Sequence, residues 1–227
     1  MSARQVAVDE DRLRERIAYH GRSIFERGLT AGSSGNISVR LDDGWLMTPT
    51  NCCLGNLDPA DISRLDAQGV LLSGKAPSKE FFLHQAFLSK RPQDGAVVHL
   101  HSTYATAVSC LPDIDPMDVL PPLTPYSIMR FGKVALNPYH RPGDKKLGDE
   151  ILKVAADYSA VLLSNHGPIV AAKDLDAAVY AAEELEETAK LFMLLQGQRP
   201  RLLNAEQVAE LNQTFVNKGA DDAKSCC

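Results

Sequence analysis

Cysteine and long apolar runs are both scarce in this sequence, and each shortage removes a class of protein. The five cysteines fall as Cys52-Cys53, Cys110 and Cys226-Cys227. Adjacent cysteines rarely bridge each other and an odd total leaves a thiol over, so no disulfide framework is expected. The absence of Cys-x-x-Cys spacing removes a zinc ribbon. A reducing, cytoplasmic setting is the expectation. No apolar stretch approaches the ~20 residues of a membrane span, and residues 1–16 are polar and charged, without the apolar segment of a secretory signal. Positive charge is in the minority, with 24 Lys and Arg against 29 Asp and Glu and a formal net charge of −5. A general nucleic-acid binder would carry a basic face, so neither nucleic acid nor membrane is expected as a partner. Small anions stay open, because they need only a locally positive pocket.

What is present suits a soluble globular chain. Of 227 residues, 44% are hydrophobic and 23% charged, enough to build a full core. With no repeat, linker or break in composition, one mixed α/β domain over 1–227 is expected. Leu13, Ile17, Ile24 and Phe25 recur among charges over 9–28 and predict an amphipathic helix ending near Gly28. Ile37-Ser38-Val39-Arg40-Leu41 alternates as a strand, and Asp42-Asp43-Gly44 turns it into Trp45-Leu46-Met47-Thr48 as a hairpin. Helices are predicted over about 79–89, 102–110, 144–158, 175–195 and 205–216, with a short strand at 161–164. Residues 111–125 hold five prolines and no period, and irregular connections of that length are uncommon unless functional. The acidic group Glu183, Glu184, Glu186 and Glu187 reads as the solvated face of its helix.

The most informative stretch is Val97-Val98-His99-Leu100-His101-Ser102. An apolar run of this kind reads as a buried strand. Side chains two apart on a strand share a face, so His99 and His101 converge on one spot. Two neutral imidazoles side by side are a start on a zinc site, since imidazole nitrogen is a borderline-soft donor. Further ligands must come from His20, His84, His140, His166 or a carboxylate. His166 follows a short apolar strand in a Gly-Pro turn. Glu80 sits at the start of a helix, and His84 lies one turn further on the same face; ligand chemistry alone leaves both open. Three polar turns, Gly35-Asn36, Thr50-Asn51 and Ser78-Lys79, each supply backbone N–H groups with a hydroxyl, amide or ammonium, the parts of an anion pocket. A metal beside a phosphate pocket suggests a sugar-phosphate enzyme working through an enolate.

These motifs together resemble the class II aldolase/adducin family from about residue 12 to 216. The resemblance rests on residues 31–40 (Ala-Gly-Ser-Ser-Gly-Asn-Ile-Ser-Val-Arg), Thr48-Pro49-Thr50, Pro77-Ser78-Lys79-Glu80, Val98-His99-Leu100-His101 and Asn165-His166-Gly167. It implies a three-layer α/β fold, a mostly antiparallel central sheet flanked by helices. It also implies one Zn²⁺ per subunit held by Glu80, His99, His101 and His166, with Glu80 the base, and a substrate phosphate bound by Gly35, Asn36, Thr50, Asn51, Ser78 and Lys79. Fuculose-phosphate aldolases of the family have Gly and Ser where this chain has Asn51 and Lys79. A homotetramer is implied, with active sites between subunits and a neighbour's tyrosine as proton donor. Tyr126 in the proline-rich loop is the match, with Tyr104 and Tyr139 as competitors.

Within the family, residues 41–45, 120–126, 140–144 and 185–188 resemble the members that decarboxylate 3-oxo-tetronate 4-phosphates. The implied reaction gives dihydroxyacetone phosphate and CO₂ through an enediolate stabilised by the metal, from a small sugar-acid phosphate. Arg141 is then a candidate for the substrate carboxylate, against a surface arginine in a turn. A sugar-phosphate aldolase, a ribulose-phosphate 4-epimerase and a non-catalytic adducin-like module are the alternatives; the four ligand residues argue against the last.

Overall fold

The structure, a computed structural model, describes residues 3–216. Helix α1 (Ala3–Glu26) opens the chain. A four-strand meander follows, made of β1 (Asn36–Leu41), β2 (Gly44–Met47), β3 (Ser63–Asp66) and β4 (Leu71–Ser73). Next come α2 (Phe81–Lys90), β5 (Ala96–His99), α3 (Thr103–Ser109), α4 (Pro125–Arg130) and β6 (Val134–Asn137). The chain closes with α5 (Lys146–Val154), β7 (Ala160–Leu163), β8 (Gly167–Ala172), α6 (Leu175–Leu194) and α7 (Ala205–Leu211). All eight strands form one sheet in the order β4-β3-β2-β1-β5-β8-β7-β6. Only the β6–β7 pair is parallel, so the sheet is mostly antiparallel and flanked by helices, as the resemblance implied.

Strand alternation sorts the core into two halves. Ile37, Val39, Leu46, Val98, Leu162 and Val170 pack on one face with Ile17 of α1, Ala105 and Val108 of α3 and Leu185 of α6. Met47, Val97, Val161, Leu163 and Ile169 pack on the other with Leu83 and Phe87 of α2 and Leu147 and Ile151 of α5. Each such side chain taken fully out of water contributes about 1.5–3 kcal/mol. With both faces covered, β5 and β7 read as nearly unbroken apolar runs, while β1 keeps its alternation because Asn36 and Ser38 are buried polar residues.

The same parity positions the site. Val97 faces α2, so His99, two residues on, faces α2 as well. Asn36 lies opposite His99 and Ser38 opposite Val97 in the β1–β5 register, which puts both beneath α2.

Several elements differ from expectation. Strand β5 stops at His99, and His101 lies beyond it in extended chain. Strands β3, β4, β6 and β8 and helix α4 have no counterpart among the predicted elements. β8 carries Pro168 at its second position, where proline ordinarily argues against a strand. The acidic group on α6 is corrected in part: Glu186 is only 5% exposed. Its carboxylate accepts the backbone N–H of Tyr104 and of Ala105, both at 2.8 Å. Glu186 therefore caps the first turn of α3, while the hydroxyl of Ser102 at the N-cap position makes no capping bond. Cys226-Cys227 lies outside the described residues; Cys52, Cys53 and Cys110 are unbridged. Among the described residues no helix is long and apolar enough to cross a membrane.

Candidate active site

A strand end, the segment that follows it, one tight turn and one helix start bring the predicted ligands together. His99 ends β5, His101 follows two residues later, and His166 stands in the tight connection between β7 and β8. That connection works because Asn165 takes φ 55°, a left-handed conformation that asparagine tolerates better than most residues. Gly167 is needed beside it, because a Cβ there would lie 2.3 Å from the Leu100 carbonyl oxygen. The turn bearing His166 is thereby pressed against the segment bearing His101. Glu80 occupies the N-cap position of α2. Its side chain is 14% exposed.

The ligand-type atoms of Glu80, His99, His101 and His166 all lie within 4.8 Å of one another. His101 Nε2 is 3.2 Å from His99 Nε2 and 3.0 Å from His166 Nε2. Glu80 presents Oε2 to His99 Nε2 and Oε1 to His166 Nε2, each at 3.5 Å. His99 Nδ1 lies 2.8 Å from the carbonyl oxygen of Pro168. A carbonyl only accepts, so the proton sits on Nδ1 and Nε2 offers a bare lone pair to the cluster. Burial, then the neighbouring imidazoles, hold His99 well below the ordinary histidine range. His101 and His166 are lowered as well, burial being the largest cause in each. Neutral rings are what a metal requires of histidine.

This donor set fits a divalent cation. Three converging nitrogens and a carboxylate match the ligand types of zinc. His101 Nε2 stands at hydrogen-bond distance from both other Nε2 atoms, and a single proton on it can serve only one of them, so a cation at the centre suits the three nitrogens better. His166 Nδ1 is buried with no partner among the described residues.

Beside the cluster lies a cavity of about 340 Å³. Gly35, Asn36, Thr50, Asn51, Ser78 and Lys79 all line it, together with Glu80 and His101. The chemistry of this cradle differs in detail from the expectation of free backbone N–H groups. Thr50 N–H donates to the Ala76 carbonyl at 2.9 Å and Ser78 N–H to the Thr48 carbonyl at 3.1 Å. Both N–H groups are spent holding the two segments together, which leaves the Thr50 hydroxyl for a ligand and that of Ser78 as a donor only, since Ser78 Oγ accepts the Glu80 N–H at 3.3 Å. The amide of Asn36 is also engaged, with Nδ2 donating to Glu80 Oε2 at 2.9 Å. Lys79 is the one cationic side chain among the lining residues. Gly35 has φ 80°, and a Cβ there would come within 3.1 Å of the His99 carbonyl oxygen, so the cradle approaches the histidine strand only with glycine at this place.

The structure does not bring every candidate here. Tyr126, on α4 and 59% exposed, lines a separate polar depression with Arg27, Arg130, Tyr180 and Glu184. Tyr104 is partly buried against the core below α6, and Tyr139 is exposed. Arg141 is 75% exposed beside Asp144, while the adjoining Pro142 and Gly143 line the cavity. His84 is not among the converging ligands; it lies behind them, fully buried, between Ser38 and Asn36.

Fold and site together define a class: a three-layer α/β protein with a carboxylate and three imidazoles converging beside a polar cavity lined by hydroxyls and one lysine. The chain belongs to the family described as the Class II Aldolase and Adducin N-terminal domain, whose model matches residues 15–193. It is 50% identical over 204 residues to the 3-oxo-tetronate 4-phosphate decarboxylase of Escherichia coli (strain K12), covering 89% of this chain and 96% of that one. The L-fuculose phosphate aldolase of the same strain is 33% identical over 196 residues, covering 85% and 88%. Among solved structures, YgbL from Escherichia coli superposes with a TM-score of 0.87 at 48% identity, covering 89% of this chain and 98% of that one.

Proposed function

We propose that this protein is a metal-dependent carboxy-lyase that converts a 3-oxo-tetronate 4-phosphate into dihydroxyacetone phosphate and CO₂. The observation that carries the reading is the adjacency of the Glu80, His99, His101 and His166 cluster to a cradle of hydroxyls and one ammonium. The name of the 50% identical relative supplies the substrate class.

The proposed metal is zinc, held by the three histidine nitrogens and Glu80. When bound, it supplies Lewis acidity toward oxygens on which negative charge develops. The chain's own residues do the rest. Lys79 and the hydroxyls of Thr50 and Ser78 hold the phosphate, which fixes where the reacting carbons lie and contributes binding energy remote from them. The bond between the carboxyl carbon and its neighbour breaks, and its electron pair passes into the adjacent ketone to give an enediolate. A proton drawn from solvent reaches the carbon that lost CO₂ by way of Glu80, or of Tyr126 entering from a neighbouring copy in a homotetramer. Arg141, at the rim, meets the carboxylate before it leaves.

The test is to load purified protein with zinc and supply both enantiomers of the substrate, which differ at the one stereocentre beside the carboxylate. Release of CO₂ with matching dihydroxyacetone phosphate is expected. Stoichiometric zinc with no CO₂ from either enantiomer would overturn the reading. Condensation of dihydroxyacetone phosphate with a hydroxyaldehyde under the same conditions would favour the aldolase that the 33% identical relative suggests.

A further inference from the structure

We propose that His84 is a positioning residue that aligns the Glu80 carboxylate through Asn36, by a one-way chain of hydrogen bonds beginning at Ser38. The proposal rests on the reading of Glu80 as ligand and base.

The direction of every bond follows from the two acceptor-only groups in the chain. A carboxylate only accepts, so the Asn36 amide turns Nδ2 toward Glu80 Oε2, at 2.9 Å, and Oδ1 the other way. An amide oxygen also only accepts, so the proton of the His84 ring sits on Nε2, 2.5 Å from it. Burial holds this ring neutral, with its pKa lowered to about 3. Nδ1 is then bare and accepts from the Ser38 hydroxyl at 2.8 Å. Each group donates toward the carboxylate.

The fold builds this chain from two periodicities. Asn36 and Ser38 share a face of β1, while Glu80 and His84 share a face of α2 one turn apart. Ser38 and His84 are fully buried and Asn36 is 5% exposed. With water excluded, bonds in series polarise one another and an unpaired member is costly. At the far end the carboxylate stands where α2 begins, with Oε2 held by Asn36 on the His99 side and Oε1 left on the His166 side. Residues that orient a ligand in this way typically change metal affinity or activity by about 10–100-fold when removed.

A polar filling of the core would serve stability alone, so the test separates the two roles. His84→Gln keeps a donor toward Asn36 and an acceptor toward Ser38; His84→Leu keeps neither. Folded His84→Leu is expected to lose about 10–100-fold in zinc affinity, measured with a competing chelator, and a comparable factor in kcat, with KM nearly unchanged. His84→Gln should recover most of both. Folded His84→Leu with wild-type zinc affinity and kcat would overturn the proposal. Should the leucine variant not fold, Ser38→Ala removes the first donor alone and is read by the same two measurements.

An arm independent of activity uses the metal-free full chain. Long-range ¹H–¹⁵N spectra should show His84 as the Nε2–H tautomer, with a shift that moves in Glu80→Gln. An Nδ1–H tautomer, or a signal indifferent to Glu80→Gln, would overturn the chain of bonds. Wild-type protein that binds no zinc and releases no CO₂ would instead sink the functional reading, and the spectra would still decide the role of His84.

Discussion

His99 donates its Nδ1–H to the carbonyl oxygen of Pro168 at 2.8 Å, a bond from β5 to its neighbour β8. The acceptor is backbone, so the ring orientation and tautomer are built into the sheet and survive side-chain changes around them. In the proposed site His99 is thus the ligand with the least freedom to adapt. His99→Ala is expected to weaken zinc binding by more than the ~100-fold upper range of a supporting residue. Zinc content after dialysis against a weak chelator checks this; a retained equivalent of zinc would remove His99 from the site.

The four lowered histidines set the sign of the acid response of the metal-free protein. His84, His99, His101 and His166 all lie below the ordinary value of 6.5 in the folded state, His84 at about 3. Between about 3 and 6.5 the unfolded chain therefore binds more protons than the folded one, and stability falls as pH falls through that window. Above 6.5 this contribution is flat. Urea midpoints at pH 7.5, 6 and 5 should decline in order, and more gently in His84→Gln. A midpoint that rises toward pH 5 would contradict the burial of neutral rings.

Glu186 ties α6 to the start of α3, two residues after His101. Glu186→Ala leaves the N–H groups of Tyr104 and Ala105 without their acceptor in a buried place. A loss of about 1–3 kcal/mol is expected, measured by denaturant unfolding. A change under 0.5 kcal/mol would mean that water replaces the carboxylate at no cost.

Arg141 and Lys79 stand at different ends of the proposed substrate. Arg141→Ala should raise KM about tenfold, a change of ~1.4 kcal/mol, with kcat within about twofold. Lys79→Ala should also raise KM and, unlike Arg141→Ala, should abolish protection by inorganic phosphate against thermal unfolding. An unchanged KM in Arg141→Ala returns that residue to an ordinary surface turn.

Much of the site was readable because its residues lie on short periodic pieces. His99 and His101 share a face by parity, and polar turns announce themselves by composition. The strand reached less far than its apolar run suggested, yet extended chain beyond β5 keeps the two rings together. What stayed hidden depends on partners remote in sequence. Nothing near Glu186 says that it caps a helix about eighty residues earlier. Glu80 and His84 could not be told apart by spacing, since both share a helical face; only the register of β1 under α2 turns His84 toward Ser38 and Asn36. β6 has only four residues, and β8, Gly-Pro-Ile-Val-Ala-Ala, is apolar on both faces and so shows no alternation; the proline in β8 points the wrong way as well.

The hydrogen bonds from Thr50 to Ala76 and from Ser78 to Thr48, with the backbone bridge between Pro49 and Pro77, lace the walls of the cradle into a stiff receptacle. The phosphate proposed to bind there would not have to gather loose chain around itself, because the ordering was completed when the protein folded. Its capture and release would leave these two segments as they are, and selection among phosphate esters would fall to the dimensions of a preformed seat.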